Sequence, residues 1–469
     1  MSLMHCLFRA GVAASLLPLL WTGAVVSADG QDHLEPEGTL SRPSARAVEQ
    51  IRRSVALTGR NRLFVGEPSA GLVLKPEAGA VEYRTLASTG WSDPQSVGPR
   101  SLQSNDHFGF AVSAIDAVGL DGQVAVLIGA PGDDQSGAEA GAAYLCYYAC
   151  AVEPPYVCGW LSAKWHSPGP QPGGGFGKAV DLDQDLAIVG APHEGTGGRA
   201  HILSRSPSLF EYAAESSLAM TAPVAGDEFG TAVSVDGSYA VVGAPGRDGG
   251  GFTNIGAAVV FRRSFIMTPS GPQARWDRIA TLQPPLDQNQ NDIRFGECVW
   301  VEGEHLFVGA PWYGYTNSGW VRLGAVFVYR FHESAVEYCG RLTRPAGQAA
   351  AGNTGYQLAA AGDLLAVRTA ASFWSMIDTW FHDNVELYRY DPDSRQWLFT
   401  DTRSITSVRL DAAEPAVFGG VAVNPQRLVA DVPYDARMDL FKFCPGTDLN
   451  GDCAIDLLDL SLLTRDWLR

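Results

Sequence analysis

The chain has 469 residues with 34 basic and 51 acidic side chains, a formal net charge of −17. That balance excludes the basic surface needed to bind nucleic acid or an anionic membrane. After the N-terminus no run reaches the roughly 18 apolar residues of a membrane span. Residues 1–28 read as a secretory signal, with Arg9 in the n-region, Ala10 to Val26 as the apolar core and Val26-Ser27-Ala28 as the cleavage site. No cysteine follows that site, so a lipid anchor is not expected. Removal leaves 33 basic against 51 acidic residues (33 − 51 = −18) and implies a secreted or cell-surface protein. Residues 29–50 are polar, contain Pro36 and Pro43, and read as a linker, with 40–52 a source for a closing strand.

From residue 51 one sentence recurs. Phe108-Gly109, Phe176-Gly177, Phe229-Gly230 and Phe295-Gly296 each open an apolar-alternating run, which closes on Gly129-Ala130-Pro131, Gly190-Ala191-Pro192, Gly243-Ala244-Pro245 and Gly309-Ala310-Pro311. Degenerate copies close near Gly66, Arg368 and Asp431, giving seven units with a period of about 60 residues. Each unit reads as four strands, A to D. Strand A follows Phe-Gly, an X-Gly turn leads to strand B, and strand C follows a Gly-rich loop. The pattern predicts an all-β fold, a seven-bladed β-propeller of four-stranded antiparallel blades over 51–443. Gly and Ala let crowded inner backbones approach. Pro ends strand B because it has no N–H for the ladder. Phe wedges between blades, worth roughly 1.5–3 kcal/mol on burial.

The units resemble FG-GAP repeats, the blades of the integrin α-subunit head and of many secreted bacterial proteins. The resemblance implies a propeller used for adhesion or partner binding, commonly without catalysis. Many such blades carry a calcium loop between strands A and B. Here those turns are about two residues long, too short to wrap an ion in six or more oxygens. Asp181, Asp183 and Asp185 therefore read as turn formers, and the propeller as largely free of calcium.

The calcium expectation moves to the tail. Asp448, Asn450, Asp452, Asp456 and Asp459, with the Ala454 carbonyl, stand at the ligand positions of an EF-hand loop. Residues 457–468 then read as a short amphipathic helix. The segment 444–469 resembles half a dockerin repeat, which implies Ca2+ as cofactor and a cohesin-like module as partner, although dockerins pair two loops and one is visible here. Cys453 stands where the loop usually has Gly, at a cost of roughly 1–2 kcal/mol. A Cys444–Cys453 disulfide would offset that cost. Cys150 and Cys158 flank Pro154-Pro155 at near mirror positions of a hairpin and form the second expected pair. Cys146, Cys298 and Cys339 read as buried thiols or as cysteines of unassigned pairing.

In a four-stranded blade the B–C and D–A loops share one face, and here the B–C loops are long. They offer Asp133, Asp134, His193, Glu194, Arg199, Arg247, Asp248, Trp312, Tyr313, Tyr315 and Trp320. Aromatics beside Gly and Asn have the composition of a sugar- or protein-recognition surface on a rigid scaffold. The expected function is an exported, non-catalytic recognition or adhesion protein that binds an extracellular protein or glycan, with the tail as a calcium-binding attachment segment. The alternative is a secreted carbohydrate-active enzyme, a glycoside hydrolase or lyase with a dockerin-like targeting tail, pairing Glu194 with Asp134 or Asp248.

Overall fold

The structure, a computed structural model, describes residues 33–41, 54–71, 75–99, 101–116, 124–150, 158–205, 212–269, 271–285, 290–314, 323–332, 335–343, 353–374, 379–410, 421–432 and 437–444. The described residues form strands and no helix. The strands gather into seven sheets, six of four strands and one of five, so the fold is the seven-bladed propeller that the repeat predicts. By contacts the chain divides into a large unit, 39–440, and a small one that joins 1–38 to 441–469. The large unit holds blades one to six. Blade seven runs, outside to inside, His33–Ser41, Arg437–Cys444, Arg427–Val432 and Val421–Asn424. Its outer strand thus comes from His33–Ser41, mostly ahead of the 40–52 stretch proposed from sequence. Blade one has its outer strand split into Gly90–Trp91 and Gln95–Val97, with Pro94, which cannot donate to a ladder, in the gap.

The repeated letters lock each blade to the next. In blade four, Gly230 N–H donates to the Gly243 carbonyl at 2.9 Å, tying Phe-Gly to Gly-Ala-Pro within the blade. The same bond joins Gly109 to Gly129, Gly177 to Gly190 and Gly296 to Gly309. Each Phe meanwhile donates backward, as Phe229 N–H does to Gly197 O at 2.8 Å in the preceding blade. The Gly-Ala-Pro glycine is needed for a steric reason. A Cβ on Gly243 would stand 2.0 Å from the carbonyl oxygen of Gly296, and one on Gly190 equally close to that of Gly230. Phe108, Phe176, Phe229 and Phe295 are fully buried between blades, as expected. The apolar core follows suit: one cluster joins Val241 and Val260 of blade four to Phe295, Val308 and Phe327 of blade five, and another joins Leu63 and Val65 of blade one to Val429 and Met438 of blade seven.

Strand B ends at Ala130, Ala191, Ala244 and Ala310, each time just before the Pro. Blade six carries Arg368-Thr369-Ala370 in place of Gly-Ala-Pro, and there strand B runs on from Leu364 to Trp374. Without a proline stop the ladder continues, and the next two strands lengthen with it, to Thr379–Asp391 and Gln396–Leu410.

At the opposite ends of the inner strands the aspartates have a specific job. Asp181 accepts from Ser113 Oγ (2.9 Å), Ser234 Oγ (3.0 Å) and Val235 N–H (2.9 Å), bridging blades two, three and four. Asp183 accepts from Gly237 N–H at 2.9 Å, Asp236 from Gly303 N–H at 2.6 Å and Glu302 from Gly362 N–H at 2.8 Å. Each carboxylate holds the turn of the next blade. Asp185 pairs with Arg205 at 2.9 Å.

Candidate functional site

The loop face opens from a central cavity of about 610 Å³ lined by the seven inner strands. Its lining includes residues that directly follow a Phe-Gly or its counterpart: Phe110, Lys178, Thr231, Glu297 and Tyr356 (the last after Thr354-Gly355). Sequence reasoning missed these positions. Their signal was variability, since they change chemistry from unit to unit while the flanking letters repeat.

Four of the loop residues singled out from sequence occupy one structural position, the third after the Gly-Ala-Pro alanine. Asp133, Glu194, Arg247 and Tyr313 each donate their N–H back to that alanine at 3.1–3.2 Å, forming the turn that follows strand B. Their side chains anchor the turn. Asp133 meets Lys164 Nζ at 2.5 Å and accepts from Tyr144 OH at 3.3 Å. Glu194 is buried against His201, whose Nε2 lies 3.2 Å away, with Arg199 Nε at 3.8 Å. Burial alone would raise the Glu194 carboxyl, but hydrogen bonds from His201 and Ser167 and the charges of His201 and Arg199 hold it below its ordinary value. Arg247 pairs with buried Asp227 at 2.8 Å. Tyr313 is buried, its hydroxyl 2.5 Å from Arg341 Nη1 and its ring under the same guanidinium. Each of these four side chains has a partner within the fold.

The carboxylates of the pair considered from sequence each have a partner of their own. Glu194 is committed to His201 inside blade three. Asp134 accepts the N–H of Glu139 at 2.6 Å, and Asp248 that of Asn254 at 2.9 Å, each within its own loop.

Position two after the alanine differs. In blades two and four it is Gly132 and Gly246, where a Cβ would meet Asn105 O or Gly226 O at 1.9 Å. In blades three and five it is His193 and Trp312, both exposed. Trp312 is 37% exposed, and its ring lies 5.5 Å from the Arg294 guanidinium. Arg294 is itself fixed across two blades, by Glu228 of the preceding blade at 3.0 Å and by Glu297 at 2.8 Å. Gln290 Nε2 donates to the Trp312 carbonyl, and Gln290 Oε1 accepts from Gly314 N–H at 2.9 Å. Arg294 therefore backs the indole, while Gln290 fixes the Trp312 backbone. His193 lies near Lys178 and Glu228.

Residues 217–261 match the family model of the FG-GAP repeat. That stretch spans the end of blade three's outer strand, the Phe229-Gly230 opening and strands A to C of blade four, so the matched letters are those of the interblade lock. No curated protein matches the chain. Many solved chains are similar to it, among them the following two. One is a putative 6-phosphogluconolactonase from Bacteroides uniformis, 12% identical over 79% of this chain and 88% of that one, with a TM-score of 0.44. The other is a periplasmic gluconolactonase of Pseudomonas aeruginosa, 13% identical over 81% and 95%, with a TM-score of 0.40.

Tyr315, Trp320, the loop 448–459 and Cys453 lie outside the described residues. Cys444 ends the last described strand, and strand register sets Cys150 opposite Cys158. Cys146 is a buried thiol, Cys298 is half-buried, and Cys339 is exposed rather than buried. No helix among the described residues is long and apolar enough to cross a membrane.

Proposed function

We propose that the FG-GAP propeller is an exported, non-catalytic recognition scaffold that binds an extracellular glycan or protein on its loop face, at Trp312 and the adjoining cavity mouth. The observation that carries this reading is the Trp312–Arg294–Glu228/Glu297 assembly. An exposed indole gives up little conformational freedom on binding when its stacking partner is already fixed by two carboxylates, and tryptophan and arginine supply much of the affinity at recognition surfaces. The tail loop 448–459, with Asp448, Asn450, Asp452, Ala454, Asp456 and Asp459 as ligands, serves as a calcium-dependent attachment segment.

The test is a glycan and extracellular-protein binding screen on the wild type and Trp312→Ala, each with and without EDTA. Binding that falls at least about tenfold in Trp312→Ala, roughly 1.4 kcal/mol, and persists in EDTA supports recognition by the propeller. Equal binding by both proteins refutes it. Cleavage of a bound glycan would assign the chain to the carbohydrate-active alternative.

A further inference from the structure

Blade four carries a projection that the other described blades of its kind lack. Its strand C, Ala257–Thr268, and strand D, Gly271–Leu282, are each 12 residues long. Strand B supports only the first half, because its pairing with strand C ends at Tyr239 opposite Arg262, followed by one bond from Arg263 N–H to Ser238 O at 2.8 Å. From Arg263 opposite Trp276 to Thr268 opposite Gly271 the hairpin continues as a two-stranded ribbon, six residue pairs or about 20 Å. Such a ribbon is marginal in water unless something covers it. Its tip is the most apolar exposed surface described: Met267 is 82% exposed, Phe265 62% and Ile266 45%.

The two edges of the ribbon are not equivalent. The strand D edge carries Pro272, which has no N–H and blunts pairing. The strand C edge, Ser264–Thr268, has neither proline nor charge and is rich in β-favouring side chains. The arginines at its base are already answered, Arg263 by Glu215 and Arg275 by Asp277. Two such edges laid antiparallel about a two-fold axis bring no like charges opposite each other. They also bring Phe265 and Met267 of the two copies together on one face of the sheet and Ile266 on the other.

We propose that this edge pairs with the same edge of a second copy of the chain, giving a four-stranded sheet of order D-C-C′-D′ and an isologous dimer. The contact is small beside the roughly 1,200–2,000 Å² of stable interfaces, so the dimer is reversible and concentration-dependent. Each copy has a net charge of −17, so association strengthens with added salt.

Sedimentation velocity of the exported protein over a dilution series, at low and high salt, tests this. The wild type is expected to pass from monomer to dimer, more readily in salt. Ile266→Lys is expected to raise the dissociation constant at least about tenfold, while a control at the blunted edge, Gln273→Lys, changes it little. In a Cys339→Ser background, Ile266→Cys is expected to give a disulfide-linked dimer on oxidation. A wild type that stays monomeric throughout, or a dimer indifferent to Ile266→Lys, overturns the proposal. So does a monomer that pellets with phosphatidylglycerol vesicles, which would give the tip to a lipid surface instead.

Discussion

Replacing Gly243 by alanine tests whether the repeated glycine is a lock or merely a turn residue. The new Cβ would stand 2.0 Å from Gly296 O and 3.0 Å from its carbonyl carbon. Blade five must therefore retreat by more than 1 Å at a point where it is held hard. Gly296 N–H bonds Gly309 O at 2.9 Å, Phe295 N–H bonds Ile255 O at 3.0 Å, and the Phe295 ring is fully buried. Loosening two backbone bonds costs about 0.5–1.5 kcal/mol each, and overpacking a tight site a further 1–3 kcal/mol. The expected loss is about 4 kcal/mol, at the upper end for single substitutions. Gly237 gives the contrast. Its φ is +55° with nothing within 4 Å of a new Cβ, so Gly237→Ala costs only the roughly 1–2 kcal/mol of the left-handed conformation. With an unfolding entropy near 2.1 cal/mol/K per residue, about 0.8 kcal/mol/K for some 400 residues, Tm falls by about 5 °C for Gly243→Ala and about 1–2 °C for Gly237→Ala. Calorimetry of the two variants beside the wild type decides. Equal shifts, or a smaller one at Gly243, would refute the lock.

Other outcomes follow from the same geometry. Burial raises the carboxyls of Asp181, Asp236 and Glu302 above their ordinary values of 3.8 and 4.5, against opposing bonds from Val235, Gly303 and Gly362 N–H. A raised acid holds more protons folded than unfolded, so its stabilising share is complete below the ordinary value and is lost as pH climbs through the folded one. Asp236→Asn keeps an acceptor for Gly303 and should raise Tm at neutral pH relative to acid; an unchanged pH profile contradicts the assignment. The Cys150–Cys158 register predicts a disulfide closing a short loop, worth somewhat under about 3 kcal/mol. Peptide mapping without reductant should recover the pair, and two alkylated thiols would reject it.

Why the fold was legible and the site was not can be read from single positions. Phe229, Gly230, Gly243, Ala244 and Pro245 each answer a local demand, whether burial, close approach or a strand stop, and that demand recurs in blades two to five. Repetition made the demand visible. Asp133, Glu194, Arg247 and Tyr313 are polar or aromatic letters in loops, and the partners that hold them could not be read because they lie elsewhere in the chain. Lys164 is 31 residues beyond Asp133, and Arg341 is 28 beyond Tyr313. Trp312 could be flagged from sequence, but its support could not, because Arg294 is pinned by Glu228 from 66 residues away. The aspartates that looked like turn formers are interblade acceptors for the same reason. Asp181 and Ser113 are 68 residues apart in sequence and 2.9 Å apart in space.

The ring is not joined equally all round. Five junctions, from blade one to blade six, show the close approach of a Phe-Gly-type glycine carbonyl to a closing glycine, ending with Gly309 and the carbonyl of Gly355 at 1.9 Å from its added Cβ. At the closing position of blade six stands Arg368, fully buried, with Glu386 fully buried on the adjacent strand. A side chain of that size cannot coexist with the backbone approach made at the other five. Among the described residues, the junction of blades seven and one has side-chain amide bonds beside its apolar cluster: Asn424 Nδ2 donates to Thr58 O at 2.8 Å, and Asn61 Nδ2 to Gln426 Oε1 at 2.9 Å. Side-chain bonds, the second of them exposed, hold less firmly than backbone bonds shielded by a buried Phe. Blade seven is therefore expected to open first. Hydrogen exchange should show amides of Val421–Asn424 and Arg427–Val432 exchanging through a lower-energy opening than those of Ala232–Asp236 and Tyr239–Ala244. Asn424→Ala should widen that gap by lowering protection in blades seven and one while leaving blade four unchanged. Uniform loss of protection around the ring would mean that the junctions are energetically alike and that Arg368 does with charge and hydrogen bonds what the glycines do with proximity.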